Sequence, residues 1–297
     1  MDARVTGDFG REYLVETRDR VQLVCTRKGK KQDVACGDEV EVAITSPGHA
    51  RIERVYARRN VLFRTDAWRE KTLAANIDQA VIIVAAKPTF SETFLNMCLV
   101  ACEAAQIKPL IMFNKKDLPE FEAERKKVDY LEEMGYPVLP MSAKFDIEPL
   151  RHYLDGKTTL LVGQSGMGKS RTVNNLVMRD VAKEGGLSEA LDSGKHTTTF
   201  TRMYHLDDTT SIMDSPGLQS FGLFHLSDED IAYAMPDFRP FIGLCKFNDC
   251  AHLTEPGCAI VAAEEKHHKI HPTRLAFYQA LIEQQQELRA SHPDWKK

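Results

Sequence analysis

Val21, Leu23 and Cys25 alternate with polar neighbours, and after a turn at Gly37-Asp38 so do Val40, Val42 and Ile44. Period-two alternation predicts half-buried strands. The first 66 residues therefore read as short strands and tight turns in a small barrel of the OB type; an SH3-like barrel would leave the same pattern. From about residue 75 the pattern changes. AVIIVAA at 80–86 is apolar on both faces, as a buried parallel strand must be. Ser91 stands where it caps a helix that buries Phe94, Leu95, Cys98, Leu99 and Cys102 at helical spacing. PLIMFN (109–114), PVLPMS (137–142) and TLLVG (159–163) are further strands, separated by helical stretches such as 120–134. Strands alternating with helices predict an α/β fold with a parallel sheet, and ligands gather beyond the carboxyl ends of such strands. Past residue 221 the alternation stops; a cysteine and histidine cluster at 245–258 precedes a helix from Pro272 to about Ala290.

A chain of 297 residues is more than one small core needs, and 43% apolar with 28% charged residues is a globular profile. The longest apolar runs fall well short of the roughly 18 residues of a membrane span. The start, MDARVTGDFGREY, has no apolar core of a secretory signal, and seven cysteines do not suggest a disulfide framework. A membrane protein, a secreted disulfide scaffold and a disordered tail are excluded, and the expected compartment is cytoplasmic. The net charge of −4 is unevenly spread. Residues 1–66 hold 13 Lys/Arg against 11 Asp/Glu, a net of +2, leaving −6 for the rest. Arg27-Lys28-Gly29-Lys30-Lys31 is one basic cluster; Arg51, Arg54, Arg58, Arg59 and Arg64 against Glu53 form another. The two together read either as a phosphate-facing surface or as a solvated face.

Gly163-Gln164-Ser165-Gly166-Met167-Gly168-Lys169-Ser170 matches G-x-x-x-x-G-K-[ST] directly after a strand. Glycines let backbone N–H groups point inward at phosphates, Lys169 neutralises β and γ charge, and Ser170 can ligate Mg²⁺. Asn114-Lys115-Lys116-Asp117 ends the PLIMFN strand, where a base-reading loop belongs. The Asp117 carboxylate can accept from guanine N1–H and the 2-amino group, a pair of donors that adenine lacks. Asn114 can bridge neighbouring loops, and the Lys115 stem can lie against the base. Ser142-Ala143-Lys144 ends the next strand, as the tripeptide that gives a backbone N–H to guanine O6. Asp214-Ser215-Pro216-Gly217 follows an apolar stretch; its carboxylate can hold Mg²⁺ through water, and the Gly217 N–H can meet a γ-phosphate. Between them His196-Thr197-Thr198-Thr199 offers a threonine hydroxyl for the magnesium shell. An ordinary GTPase runs phosphate loop, switch threonine, DxxG, NKxD, SAK. Here NKxD and SAK come first. The order is that of a circular permutation.

Cys245, Cys250, His252 and Cys258, spaced C-x4-C-x-H-x5-C, give three thiolates and an imidazole for a structural zinc ion, or else buried cysteines beside a surface histidine. Cys25, Cys36, Cys98 and Cys102 read as core residues.

With AANIDQ at 74–79, NKKD, SAK, GQSGMGKS, GKHTTT at 194–199, DSPG and FGL at 221–223, the chain resembles the circularly permuted ribosome small subunit-dependent GTPases (RsgA, also called YjeQ) over nearly its whole length. The resemblance implies an OB-like RNA-binding domain (1–66), a permuted GTPase domain (67–220) and a mainly helical zinc domain (221–297). It implies one structural Zn²⁺ on Cys245, Cys250, His252 and Cys258, and Mg²⁺ with GTP on Ser170 and Thr198. It also implies a cytoplasmic, monomeric hydrolase that binds GTP and GDP, the small (30S) ribosomal subunit and its 16S rRNA, acts late in subunit maturation, and is stimulated by the subunit. Arg171-Thr172 departs from the small or apolar residues usual after the phosphate loop, and the basic N-terminal extension of some members is missing. Leu218 stands where Ras-type proteins orient water with glutamine, and Gln219 is one residue out of register. The resemblance points instead to His196 as the catalytic, water-positioning residue beside Lys169 and Thr198. His267, His268 and His271 read as a polar approach to the last helix. Two alternatives stay open: an RNA-binding assembly factor with a largely structural nucleotide site, and a GTPase acting on another RNA–protein complex.

Overall fold

All seven residues of Gln79–Ala85 are buried, as a strand covered on both faces must be. The computed structural model describes residues 1–29, 33–66, 69–184, 200–217, 222–265 and 269–291. It begins with β1 (Asp2–Asp8), β2 (Tyr13–Thr17), β3 (Gln22–Arg27), β4 (Glu39–Ser46) and β5 (His49–Val55). These run in the order β1-β2-β3-β5-β4, and β4 pairs back onto β1. The β3–β5 pair is parallel and the others antiparallel, the Greek-key closure of an OB barrel rather than an SH3-like meander. Val5, Val15, Cys25, Val40 and Ile52 fill it, each fully buried.

β6 (Val61–Asp66) and β7 (Arg69–Ala75) form a separate two-stranded sheet. Then come β8 (Gln79–Ala85), α1 (Glu92–Ala104), β9 (Lys108–Asn114), α2 (Phe121–Arg125) and α3 (Asp129–Glu133). The helical stretch expected at 120–134 is thus broken, with a 3-10 turn at Lys126–Val128 between its halves. β10 (Val138–Pro140), α4 (Glu148–Leu154), β11 (Thr158–Gly163), α5 (Lys169–Glu184), β12 (Thr201–His205) and β13 (Ser211–Asp214) follow. Strands β10-β9-β8-β11-β13 are mutually parallel, and β12 runs antiparallel on the β13 edge.

One strand belongs to both architectures. Asp2–Arg4 of β1 pair with β4, while Gly7 and Asp8 pair with Arg202 and Thr201 of β12; a bulge between Val5 and Gly7 separates the two halves. Barrel and parallel sheet are thereby one eleven-stranded sheet. AANIDQ fastens the same junction. The Asn76 amide donates to the Gly37 carbonyl (2.9 Å), Asp78 accepts from the Thr158 N–H (2.8 Å), and Gln79 donates to Thr159 Oγ1 (2.8 Å).

The chain divides into two compact units: Met1–Arg64, Lys71–Phe90 and Ala105–Gln219 in the first, and Thr65–Glu70, Ser91–Ala104 and Ser220–Lys297 in the second. The second is helical, with α6 (Asp228–Tyr233), α7 (Ala259–Glu265) and α8 (Pro272–Ser291). Although α1 lies between two strands of the parallel sheet in sequence, it packs on α6 and α8. Ser91 caps it as expected, its Oγ accepting from the Phe94 N–H at 3.2 Å. Arg274 of α8 is fully buried, donating to Asp237 (2.9 Å) and to Asn96 of α1 (2.7 Å). Cys25, Cys36, Cys98 and Cys102 are buried core residues. Among the described residues no helix is long and apolar enough to cross a membrane.

Candidate functional site

Because β9, β10, β11 and β13 run parallel in one sheet, the motifs that follow them emerge on one edge. Asn114 ends β9, Ser142-Ala143-Lys144 follows β10, Gly163 ends β11 and Asp214 ends β13. The permuted chain order leaves them neighbours in space.

Asn114 is the tie between three of these loops. Its Nδ2 donates to the Met167 carbonyl of the phosphate loop at 2.9 Å, and its Oδ1 accepts from the Ala143 N–H at 3.0 Å. Gly168 allows this contact: its φ is +100°, and a Cβ there would lie 2.3 Å from Asn114 Nδ2. Lys115, at φ 64°, donates to the Gly166 carbonyl (2.7 Å) and to the Lys87 carbonyl, so its stem spans the base loop and the phosphate loop. Burial lowers its pKa, with the Arg171 cation adding to the effect. Asp117 is exposed at the rim. The Ser142 hydroxyl donates to Asp117 Oδ1 and holds that carboxyl below its ordinary pKa.

Lys169 is the buried cation of the site, 6% exposed, with its ammonium 2.5 Å from Asp214 Oδ1 and bonded also to the Ser215 carbonyl. Met167 is buried under the loop, while Ser165, Ser170 and Arg171 are exposed and Gln164 and Gly217 half-buried. Asn175, in the second turn of α5, donates to the Ala143 carbonyl (2.6 Å), and Ser215 Oγ to the Leu161 carbonyl (2.7 Å). Sequence reasoning missed both. A polar side chain at Asn175 between buried Val173 and Leu176 was the available signal for the first.

The second unit gathers Cys245, Cys250, His252 and Cys258, whose ligand atoms all lie within 4.8 Å of one another and could hold a metal ion. Cys245 Sγ is 3.4 Å and Cys258 Sγ 3.6 Å from His252 Nδ1, and the two sulfurs are 3.9 Å apart. Burial lowers the His252 pKa and raises that of the Cys250 thiol. The supporting contacts are specific. The Glu255 carboxylate accepts from the Ala251 and Leu253 N–H groups (2.9 and 2.8 Å), and the Ala259 N–H meets Cys245 Sγ at 3.3 Å. From α8, Tyr278 donates to the Ala251 carbonyl at 3.1 Å.

His196, Thr197, Thr198 and Thr199 lie outside the described residues, as do Lys30, Lys31, Gly194, Lys195, Leu218, Gln219, Phe221, His267 and His268. In the barrel the described arginines are largely engaged within the protein. Arg58 donates to Asp38 (2.7 Å) and Asp33 (2.8 Å), Arg59 pairs with Asp78 (2.7 Å), and Lys28 and Arg51 share Glu53. Part of the basic patch is therefore internal ion pairing.

A sequence model of the RsgA GTPase family matches residues 55–224. The chain is similar to the small ribosomal subunit biogenesis GTPase RsgA of Nitrosospira multiformis, 46% identical over 279 residues, 94% of this chain and 89% of that protein. The protein of the same name from Neisseria meningitidis is 43% identical over 282 residues, 95% of this chain and 92% of that one. Among solved structures, YjeQ from Thermotoga maritima superposes with a TM-score of 0.71 at 27% identity, covering 97% of this chain and 98% of that one. YloQ, described as a circularly permuted GTPase, shares the fold with a TM-score of 0.69 at 24% identity, over 98% of this chain and 95% of that one.

Proposed function

The chain belongs to the RsgA GTPase family, and we propose that it hydrolyses GTP to GDP and phosphate on the small (30S) ribosomal subunit, late in that subunit's maturation, with the subunit stimulating hydrolysis. The observation that carries this reading is the Asn114 bridge, which ties the NKxD loop, the SAK loop and the glycine-rich loop together.

In the proposed mechanism, Asp117, oriented by Ser142, accepts from guanine N1–H and the 2-amino group, and the Ala143 region faces O6. Lys144 flanks the base loop, and the Lys115 stem covers the base. Gly163, Gln164, Ser165, Gly166, Met167 and Gly168 supply the phosphate cradle. The Lys169 ammonium exchanges its Asp214 partner for phosphate oxygens and stabilises charge as the bond to the γ-phosphoryl group breaks. Gly217 contacts the γ-phosphate. The exposed hydroxyl of Ser170, at the start of α5 beside the Lys169–Asp214 pair, fits the all-oxygen shell of Mg²⁺, and Thr198 would complete it. When bound there, the ion would further neutralise phosphate charge. His196 orients the attacking water.

Zn²⁺ is the proposed occupant of the Cys/His cluster. Bonds of about 2.3 Å to sulfur and 2.0–2.1 Å to nitrogen put tetrahedral S···S and S···N edges at about 3.8 and 3.6 Å. The three edges among Cys245, His252 and Cys258, 3.9, 3.4 and 3.6 Å, support that geometry, and Cys250 Sγ lies within 4.8 Å of each of the other ligand atoms. The proposed modules are an OB-like rRNA-binding domain at 1–66, the GTPase domain at 67–220 and the zinc domain at 221–297. In sequence the residues after Gly217 lead into the zinc domain, so ordering them on a γ-phosphate would act on the tether between the two domains. The setting we propose is a monomer in the cytoplasm, contacting 16S rRNA. GTP turnover measured with and without purified small subunits tests the reading.

A further inference from the structure

Arg171, in the first turn of α5, carries an exposed guanidinium directly after the phosphate loop. Among the described residues it makes no hydrogen bond or ion pair, whereas Arg58, Arg125, Arg274 and Arg289 are each engaged by carboxylates.

Contacts of α5 fix where that cation stands. Thr172 is fully buried, and its N–H and its hydroxyl both donate to the Gly168 carbonyl at 3.0 Å. Asn175 lies one turn beyond Arg171 on the same helix face, because residues four apart are neighbours. It donates to the Ala143 carbonyl at 2.6 Å. The Arg171–Asn175 face of α5 therefore looks toward the SAK loop, where the Ala143 N–H meets Asn114 and Ser142 orients Asp117. Helical side chains lean toward the N-terminus, which carries Arg171 from that face toward the phosphate loop. Lys169 sits two positions earlier, about 200° round the helix, and its ammonium goes to Asp214 and Ser215 instead. The two cations thus serve opposite ends of the site. The Arg171 charge is felt at the base loop, where it adds to the burial that lowers the Lys115 pKa. An anion bound beside this pair would relieve their repulsion.

A nucleotide with its base at Asp117 and its γ-phosphate at the Asp214 end lays its α-phosphate on the base side of Lys169. We propose that Arg171 is a further binding residue of the site and pairs with the α-phosphate of GTP and GDP. The inference rests on the guanine-nucleotide reading and adds a contact to the phosphate that hydrolysis leaves unchanged. A guanidinium suits that contact, since its planar fork of donors matches phosphate oxygens. The α-phosphate is the same group before and after the γ-bond breaks, so the pairing holds substrate and product alike.

The test titrates GTP and GDP against wild type, Arg171→Ala and Arg171→Lys. Arg171→Ala should weaken both nucleotides by the same factor, roughly tenfold, the scale of one charge-assisted hydrogen bond. The accompanying fall in kcat/KM should lie in KM, and added salt should narrow the gap from wild type. Arg171→Lys should recover part of the affinity. Alanine suits an exposed helix position, so the variant is expected to fold. Sulfur-substituted GDP locates the contact. Sulfur at the α-phosphorus should weaken binding to wild type more than to Arg171→Ala, while sulfur at the β-phosphorus should affect the two proteins equally. Wild-type nucleotide affinity in Arg171→Ala overturns the inference, including the case in which that variant loses subunit binding and Arg171 is an RNA contact. A loss confined to GTP also overturns it, because the arginine would then act at the γ-phosphate, as does a changed response to β-sulfur alone. A wild-type protein that binds neither GTP nor GDP refutes the functional reading itself, and this inference with it.

Discussion

Replacing Asn114 by alanine removes a side chain that joins the phosphate loop to both base-side loops. The amide is 4% exposed and makes two bonds, 2.9 Å to the Met167 carbonyl and 3.0 Å from the Ala143 N–H. Losing the first costs about 1 kcal/mol, and leaving the buried Ala143 N–H without its acceptor costs about 1–3 kcal/mol more. The expected loss is about 2–4 kcal/mol, a large share of the roughly 5–15 kcal/mol that holds a typical domain folded. Urea unfolding of the full chain measures it. Affinity for GTP and GDP should fall together, by about tenfold or more, because base loop and phosphate loop lose their common register. Asn114→Asp separates the two bonds. It keeps an acceptor for Ala143 but turns a carboxylate oxygen toward the Met167 carbonyl, so it should bind nucleotide no better than the alanine variant. An Asn114→Ala protein within about 0.5 kcal/mol of wild type that binds GTP normally would refute the reasoning.

Asp117→Asn replaces an acceptor by a donor at the guanine amino group, so GTP binding should weaken and xanthosine triphosphate binding improve; unchanged GTP affinity in a direct titration would remove this loop from base recognition. Cys250→Ser should release zinc, seen by metal analysis, and loosen the second unit to proteolysis while sparing nucleotide binding, since structural zinc is coupled to local folding. Arg58→Ala strands the fully buried Asp38 carboxylate and should cost about 3–5 kcal/mol in unfolding free energy. The same cluster gives a pH dependence: burial raises the Asp33 carboxyl, but bonds from Arg58 and the Thr72 hydroxyl outweigh it and hold Asp33 below its ordinary value. That stabilisation is complete above about pH 4 and lost as pH falls through the lowered value, so the acid side of the stability profile should flatten in Arg58→Ala. His196→Ala should keep GTP and subunit binding yet lose the stimulated single-turnover rate by roughly 10²-fold or more.

The gathering of the motif loops at one end of the sheet was legible because each motif is contiguous and ends a strand that its own apolar run announces. Motif order alone gave the permutation, since a parallel sheet gathers strand ends whatever the connections. The Cys/His cluster was legible from spacing. What escaped were properties of pairs distant in sequence. Nothing near Arg58 says that Asp33 and Asp38 will engage it, so a basic run that looked phosphate-facing is partly internal. The helix after Ser91 has the apolar spacing of a sheet-covering helix, yet its Asn96 bonds Arg274, 178 positions away. AANIDQ could be matched but not understood until Asn76, Asp78 and Gln79 were seen to fasten barrel to sheet.

The central claim is a GTPase switched on by the small ribosomal subunit. The most direct measurement is single-turnover GTP hydrolysis by the wild-type protein at saturating purified small subunits, beside the free protein and large subunits. Slow hydrolysis alone, a marked acceleration on small subunits and none on large ones is the expected result. Equal rates under all three conditions, with GTP bound throughout, would contradict the account.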